Sequence, residues 1–144
     1  MLLYLDNSVL NRPFDDQRQP RIWLETLTFS LILSLIESGD ADTVCSAIHR
    51  LENEACPFAQ RRRWVEKCLA MAKLHPVLDE SVRQRALDLQ NIGIKPLDAL
   101  HLASAEQAAA DYFLTCDDRL VRRYSGNLRA MNPQTFISSL SAKQ

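Results

Sequence analysis

The sequence predicts an α/β domain with helices on both faces of a mostly parallel central sheet. Two observations carry that prediction. Short apolar runs alternate with longer stretches of helical apolar spacing along the whole chain. Acids recur just beyond the predicted strands, at the carboxyl ends where open parallel sheets bind their ligands. The 144 residues are 47% hydrophobic and 24% charged, which suits one globular domain over residues 1–144. No repeat, low-complexity segment or linker divides it.

Leu2-Leu3-Tyr4-Leu5, bounded by Asp6-Asn7-Ser8, reads as a strand buried on both faces. Asn11 to Gln19 is polar and contains Pro13, so it reads as a loop around a turn. Pro20 starts a long helix that runs to Ile36 and stops at Gly39. Its stripe of Trp23, Leu24, Leu27, Leu31, Ile32, Leu35 and Ile36 is assigned first to the core; its width makes a helix-mediated homodimer a second use. Asp42 to Ser46 reads as the second strand, with Ser46 placed to cap a helix over Ala47–Glu54. Pro57 breaks the chain before an amphipathic helix over Ala59–Leu74. That helix opens with Arg61-Arg62-Arg63, an unhelpful charge at the positive end of a helix dipole, and so either a solvated face or a phosphate contact.

His75 to Leu78 reads as a weak strand, and Asp79 as the cap of a helix ending near Gly93. Pro96 suits the first position of the next helix, where a missing N–H costs nothing. Asp98 then falls in the first turn, where the helix dipole favours an acid. Ala99, Ala103, Ala105 and Ala108-Ala109-Ala110 keep this helix slim. Asp111 to Thr115 is the next strand, Arg119 to Tyr124 a short basic helix, and Leu128 to Met131 the last strand. Pro133 opens a final helix, with fraying expected from Ser138.

A net charge of -1 and a pI near 6.3 exclude nucleic-acid binding through overall basicity and leave room only for a local basic face. Cys45, Cys56, Cys68 and Cys116 form no C-x-x-C pair, and the three histidines are scattered, so free thiols without zinc are expected. The chain shows no basic leader and no apolar stretch long enough to span a bilayer; a cytoplasmic protein without a membrane partner is the expectation.

Four acids then fall at one locus. Asp6 follows the first strand, Glu52 lies on the helix after the second, Asp98 opens its helix, and Asp117 or Asp118 follows the Asp111–Thr115 strand. Each alone has an ordinary explanation: a strand-end turn, a solvated helix residue, a dipole partner, an Asx turn. Together they would repel in a cleft unless a cation neutralised them. Mg²⁺ or Mn²⁺ suits such oxygen donors, and can activate water and offset charge on a phosphate.

The segments Leu5-Asp6-Asn7-Ser8-Val9-Leu10, Ser46-Ala47-Ile48-His49-Arg50-Leu51-Glu52, Asp98-Ala99-Leu100-His101-Leu102-Ala103 and Leu114-Thr115-Cys116-Asp117 resemble the PIN-domain family. That family includes the VapC-type toxin ribonucleases. The resemblance implies a three-layer α/β/α sandwich, an acidic pocket for Mg²⁺ or Mn²⁺, and hydrolysis of RNA. It implies catalytic roles for Asp6, Glu52, Asp98 and Asp117, with Asp6, Asp98 and Asp117 as metal ligands. Glu54 rivals Glu52, and Asp118 rivals Asp117. Ser8 and Thr115 would hold carboxylates or water by hydrogen bonds. A homodimer and an antitoxin that plugs the acidic groove are also implied.

Arg12, Arg119, Arg122 and Arg123 lie close in sequence to Asp6 and Asp117, and are candidates to offset the repulsion between the acids and RNA phosphates. His101, one turn beyond Asp98, reads as a packed core residue and is left out of the metal set. Two other readings compete. A non-catalytic PIN-like module that binds RNA or protein has no need of four acids. A phosphatase or other α/β hydrolase lacks support, since no Gly-rich phosphate loop and no G-x-S-x-G turn is present.

Overall fold

A computed structural model describes residues 1–142 of the chain. Four parallel strands, β1 (Leu2–Leu5), β2 (Asp42–Thr43), β3 (Tyr112–Leu114) and β4 (Arg129–Met131), form one sheet in the order β2-β1-β3-β4. The helices are α1 (Asn7–Leu10), α2 (Pro20–Glu37), α3 (Ala47–Glu54), α4 (Ala59–Ala70), α5 (Glu80–Asn91), α6 (Pro96–Gln107), α7 (Asp118–Arg123) and α8 (Pro133–Ser141). They complete the three-layer α/β/α sandwich. No helix among the described residues is long and apolar enough to cross a membrane.

Strand alternation divides the core in two. Leu3, Leu5, Tyr112 and Leu114 point to one face and pack with Phe29, Ile32, Val65 and Phe136 from α2, α4 and α8. Tyr4 and Phe113 point to the other and pack with Val82, Leu89, Ala99 and Leu102 from α5 and α6. Ala99, Ala103 and Ala105 are all buried there, which is where a slim helix is needed.

Most predicted elements appear, with informative departures. Asp6-Asn7-Ser8 does not merely end a strand: the next four residues form α1, and a 3₁₀ turn at Arg12–Phe14 lies in the predicted loop. α4 stops at Ala70 rather than Leu74, and His75–Leu78 is not a strand; only a single parallel bridge joins Val44 to Leu74. α8 continues regularly through Ser138 to Ser141, against the expected fraying; the last two positions of that predicted tail, 143–144, lie outside the described residues.

The largest correction concerns α2. Its core face is Ile22, Glu25, Thr28, Phe29 and Ile32. Trp23, Leu24, Leu27 and Leu31, assigned first to the core, are between 43% and 55% exposed. The helix is apolar on nearly all sides, so periodicity cannot select its inner face. Polar partners select it: Arg12 and Asn132 both hydrogen-bond to the fully buried Glu25.

Candidate active site

The chain leaves β1 for β2 on one side, then crosses back to place β3 on the other. The topological switch therefore lies between β1 and β3, and the crevice outside their carboxyl ends is the expected ligand site. Leu5 pairs with Leu114, which sets Asp6 beside Thr115. The Asp6 amide donates to Leu114 O at 2.9 Å, so the pairing continues one residue past the strand.

Asp6 is 94% buried and firmly held. Its Oδ2 accepts from Ser8 Oγ at 2.9 Å and from Thr115 Oγ1 at 2.8 Å. The same two hydroxyl oxygens accept from the amides of Cys116 and Asp117, both at 3.1 Å. Ser8 and Thr115 thus fasten the start of α1 to the segment after β3 and leave Asp6 Oδ1 outside these bonds.

Pro96 occupies the first turn of α6 and Asp98 follows as its acid. The Asp98 carboxyl is pushed up to about 6, chiefly by burial and then by the charge of Asp6; Asp117 and Glu52 add to the rise, and His101 opposes it. A carboxyl resisting ionisation among three other acids is the electrostatic mark of a functional cluster. Asp98 and Asp117 line a cavity of about 570 Å³, whose wall also carries Arg21, Lys95, Arg119 and Arg122. The two acids therefore sit within a cationic rim.

The adjacent acids Asp117 and Asp118 separate by their partners. Asp117 caps α7, its Oδ1 accepting from the amides of Arg119 and Leu120 at 2.9 and 3.3 Å. Asp118 is consumed by Arg21, with bonds of 2.6 and 2.8 Å. Glu52 and Glu54 separate likewise. Glu52 Oε1 meets His101 Nε2 at 2.5 Å, whereas Glu54 lines a separate cleft with Arg50, Glu66 and His75.

Of the four candidate phosphate-binding arginines, Arg119, Arg122 and Arg123 reach the cavity wall and Arg12 does not. Arg12 is committed to Glu25, at 3.0 and 2.8 Å, and to Asp15 at 3.1 Å. Arg123 lines the cavity while donating to Gly93 O at 2.9 Å. In the arginine run, Arg61 donates to Phe14 O and Arg62 to Cys56 O, so both serve as backbone ties rather than as a free face. Lys95 and Arg21 escaped the sequence reading: Arg21 reaches the cavity only through the fold, whereas Lys95, three residues before Asp98, was within reach of the same proximity argument.

Among the described residues, no three His, Cys, Asp or Glu side chains come together closely enough to hold one ion between them. The donor chemistry still fits a hard divalent cation. Mg²⁺ needs only one or two carboxylates and keeps several waters, and the repulsion that raises Asp98 is the kind a cation relieves.

The family model of the PIN domain matches residues 3–126. No curated protein matches the sequence. Among solved structures, that of PAE2754 from Pyrobaculum aerophilum is similar, at a TM-score of 0.55 and 17% identity, covering 99% of this chain and 90% of the other. At that identity the likeness bears on the fold.

Proposed function

This chain belongs to the PIN-domain family, and on that premise we propose that it is a metal-dependent ribonuclease, acting as the toxin of a toxin–antitoxin pair in the cytoplasm. PIN domains are generally nucleases and typically use divalent metals. The observation that carries the reading is Asp98, half-buried on the cavity wall and raised to about 6 among Asp6, Asp117 and Glu52.

One or two of the carboxylates of Asp6, Asp98 and Asp117 would hold Mg²⁺ or Mn²⁺, with waters completing its shell. The ion would supply an activated water and offset charge on the scissile phosphate. The remaining work belongs to the chain. Ser8 and Thr115 fix Asp6 through Oδ2. Glu52, tied through Oε1, has Oε2 to orient the attacking water and accept its proton. Arg119, Arg122 and Lys95 bind flanking phosphates of the RNA and counter the repulsion of the acids. An antitoxin would inhibit by occupying this acid-floored, cation-rimmed cavity.

The test is cleavage of a mixed RNA pool by purified protein in Mg²⁺, Mn²⁺ or EDTA, beside Asp98→Asn. Metal-dependent cutting that falls at least about 100-fold in the variant is expected. A folded, inhibitor-free wild type that cuts nothing under any condition sinks the enzyme reading and favours a binding module.

The homodimer belongs to the same proposal. Trp23, Leu24, Leu27 and Leu31 form an exposed apolar face on α2 that a second copy would cover. Leu27→Lys is expected to convert dimers to folded monomers in sedimentation. Dimers that survive the change place the interface elsewhere.

A further inference from the structure

We infer that His101 is a positioning residue for Glu52, aimed by a buried hydroxyl chain from Tyr4 and Ser46. The inference rests on the ribonuclease reading for its consequence, though not for its geometry. Glu52 lies on α3 with its side chain 27% exposed. A glutamate left to itself there samples many rotamers, and fixing it costs side-chain entropy. The fully buried imidazole of His101 removes that freedom.

Both ring nitrogens are engaged. Glu52 Oε1 lies 2.5 Å from Nε2, and the Tyr4 hydroxyl 2.5 Å from Nδ1. An ionised carboxylate can only accept, so Nε2–H donates to Glu52. In the neutral ring Nδ1 then accepts from Tyr4 O–H. The Tyr4 oxygen in turn lies 2.7 Å from Ser46 Oγ, which supplies its proton. Ser46 is itself anchored as the cap of α3, accepting from the His49 amide at 3.3 Å. The circuit therefore closes. It starts at the first residue before α3, passes through β1 and α6, and returns to the acid on α3.

The alternative is a buried histidine that merely needs partners. His49 shows what that looks like. Its Nε2 meets Leu5 O at 2.7 Å and its Nδ1 accepts from the Ser46 amide at 3.0 Å. Its two shortest partners are backbone, with Ser46 Oγ at 3.3 Å from the same Nδ1, and no carboxylate is among them. His101 instead spends one nitrogen on a partly exposed carboxylate and the other on a side-chain chain that fixes its tautomer. Asp98 and His101, three residues apart on α6, share a helix face. One helix thus presents an acid directly and aims a second through a ring.

The experiment combines proton NMR of the metal-free protein with kinetics on an RNA oligonucleotide in Mg²⁺. A downfield imidazole N–H resonance is expected in the wild type, lost in His101→Phe and displaced in Glu52→Ala. His101→Phe and Glu52→Ala are each expected to lower kcat about 10- to 100-fold at little-changed KM. The double variant should fall no further, and His101→Gln, which keeps a donor, should recover part of the loss. A folded His101→Phe that keeps kcat within about threefold, or a resonance indifferent to Glu52→Ala, overturns the inference. If His101→Phe does not fold, Tyr4→Phe takes its place, with an expected loss of a few-fold in kcat and a shifted resonance; no change in either overturns it. A wild type without activity defeats the nuclease reading alone, since the resonance still decides the Glu52–His101 link.

Discussion

Glu25 and Asp98 differ in how far the fold supplies partners for their carboxyl groups. Glu25 has no exposed surface, yet every part of its carboxylate is answered: Arg12 at 3.0 and 2.8 Å, Arg21 at 3.5 Å and Asn132 at 2.5 Å. Asp98, only half-buried, shares its surroundings with Asp6, Asp117 and Glu52 and is forced up to about 6. The more deeply buried charge is the contented one. Burial by itself does not mark a functional acid. What marks it is burial without compensation, because charge left unpaired by the fold is available to a ligand.

The comparison breaks most sharply at Glu25. Glu25→Ala strands Arg12, whose side chain is 20% exposed, and leaves Asn132 without its acceptor. Removing one partner of a buried pair is expected to cost about 3 kcal/mol, read as a lower urea midpoint at unchanged slope. A loss under about 0.5 kcal/mol would mean that these bonds only offset their own desolvation.

Asp98→Asn tests the other end and has the opposite sign. A carboxyl raised on folding, from 3.8 to about 6, contributes stability that is present below pH 3.8 and lost as the pH rises through about 6. Without metal at pH 7, the asparagine variant is expected to be the more stable by about 1 kcal/mol, a figure discounted for the exposed part of the group. The advantage should shrink as the pH falls below 6, and Mg²⁺ should narrow it by stabilising the wild type alone. An Asp98→Asn variant less stable than the wild type at pH 7 in EDTA would show that Asp98 is compensated after all. The same substitution is thus expected to lower activity and raise stability, a trade common at functional sites.

Much of this was legible locally. Strand-and-helix alternation, the Ser46 and Asp79 caps, Pro96 in the first turn of α6 and the stop at Gly39 are all read from neighbouring residues, and the structure repeats them. Asp6 and Asp117 at strand ends were legible for the same reason: a strand of four or five apolar residues has to end where the first acid stands. The inner face of α2 was not legible. A helix apolar all round offers no contrast, and a buried glutamate contradicts the pattern unless its partners are known.

The sequence by itself determined most of the element order, the parallel sheet and the acids placed by local signals: Asp6, Asp98 and the Asp117–Asp118 pair. Tertiary structure decided which partner each member of the two acid pairs meets. Asp118 is taken by Arg21, 97 residues away, while Glu52 is drawn to His101, 49 residues away. Local propensity is felt over a turn or two. Charge pairing acts wherever folding brings groups together, and no spacing along the chain announces it.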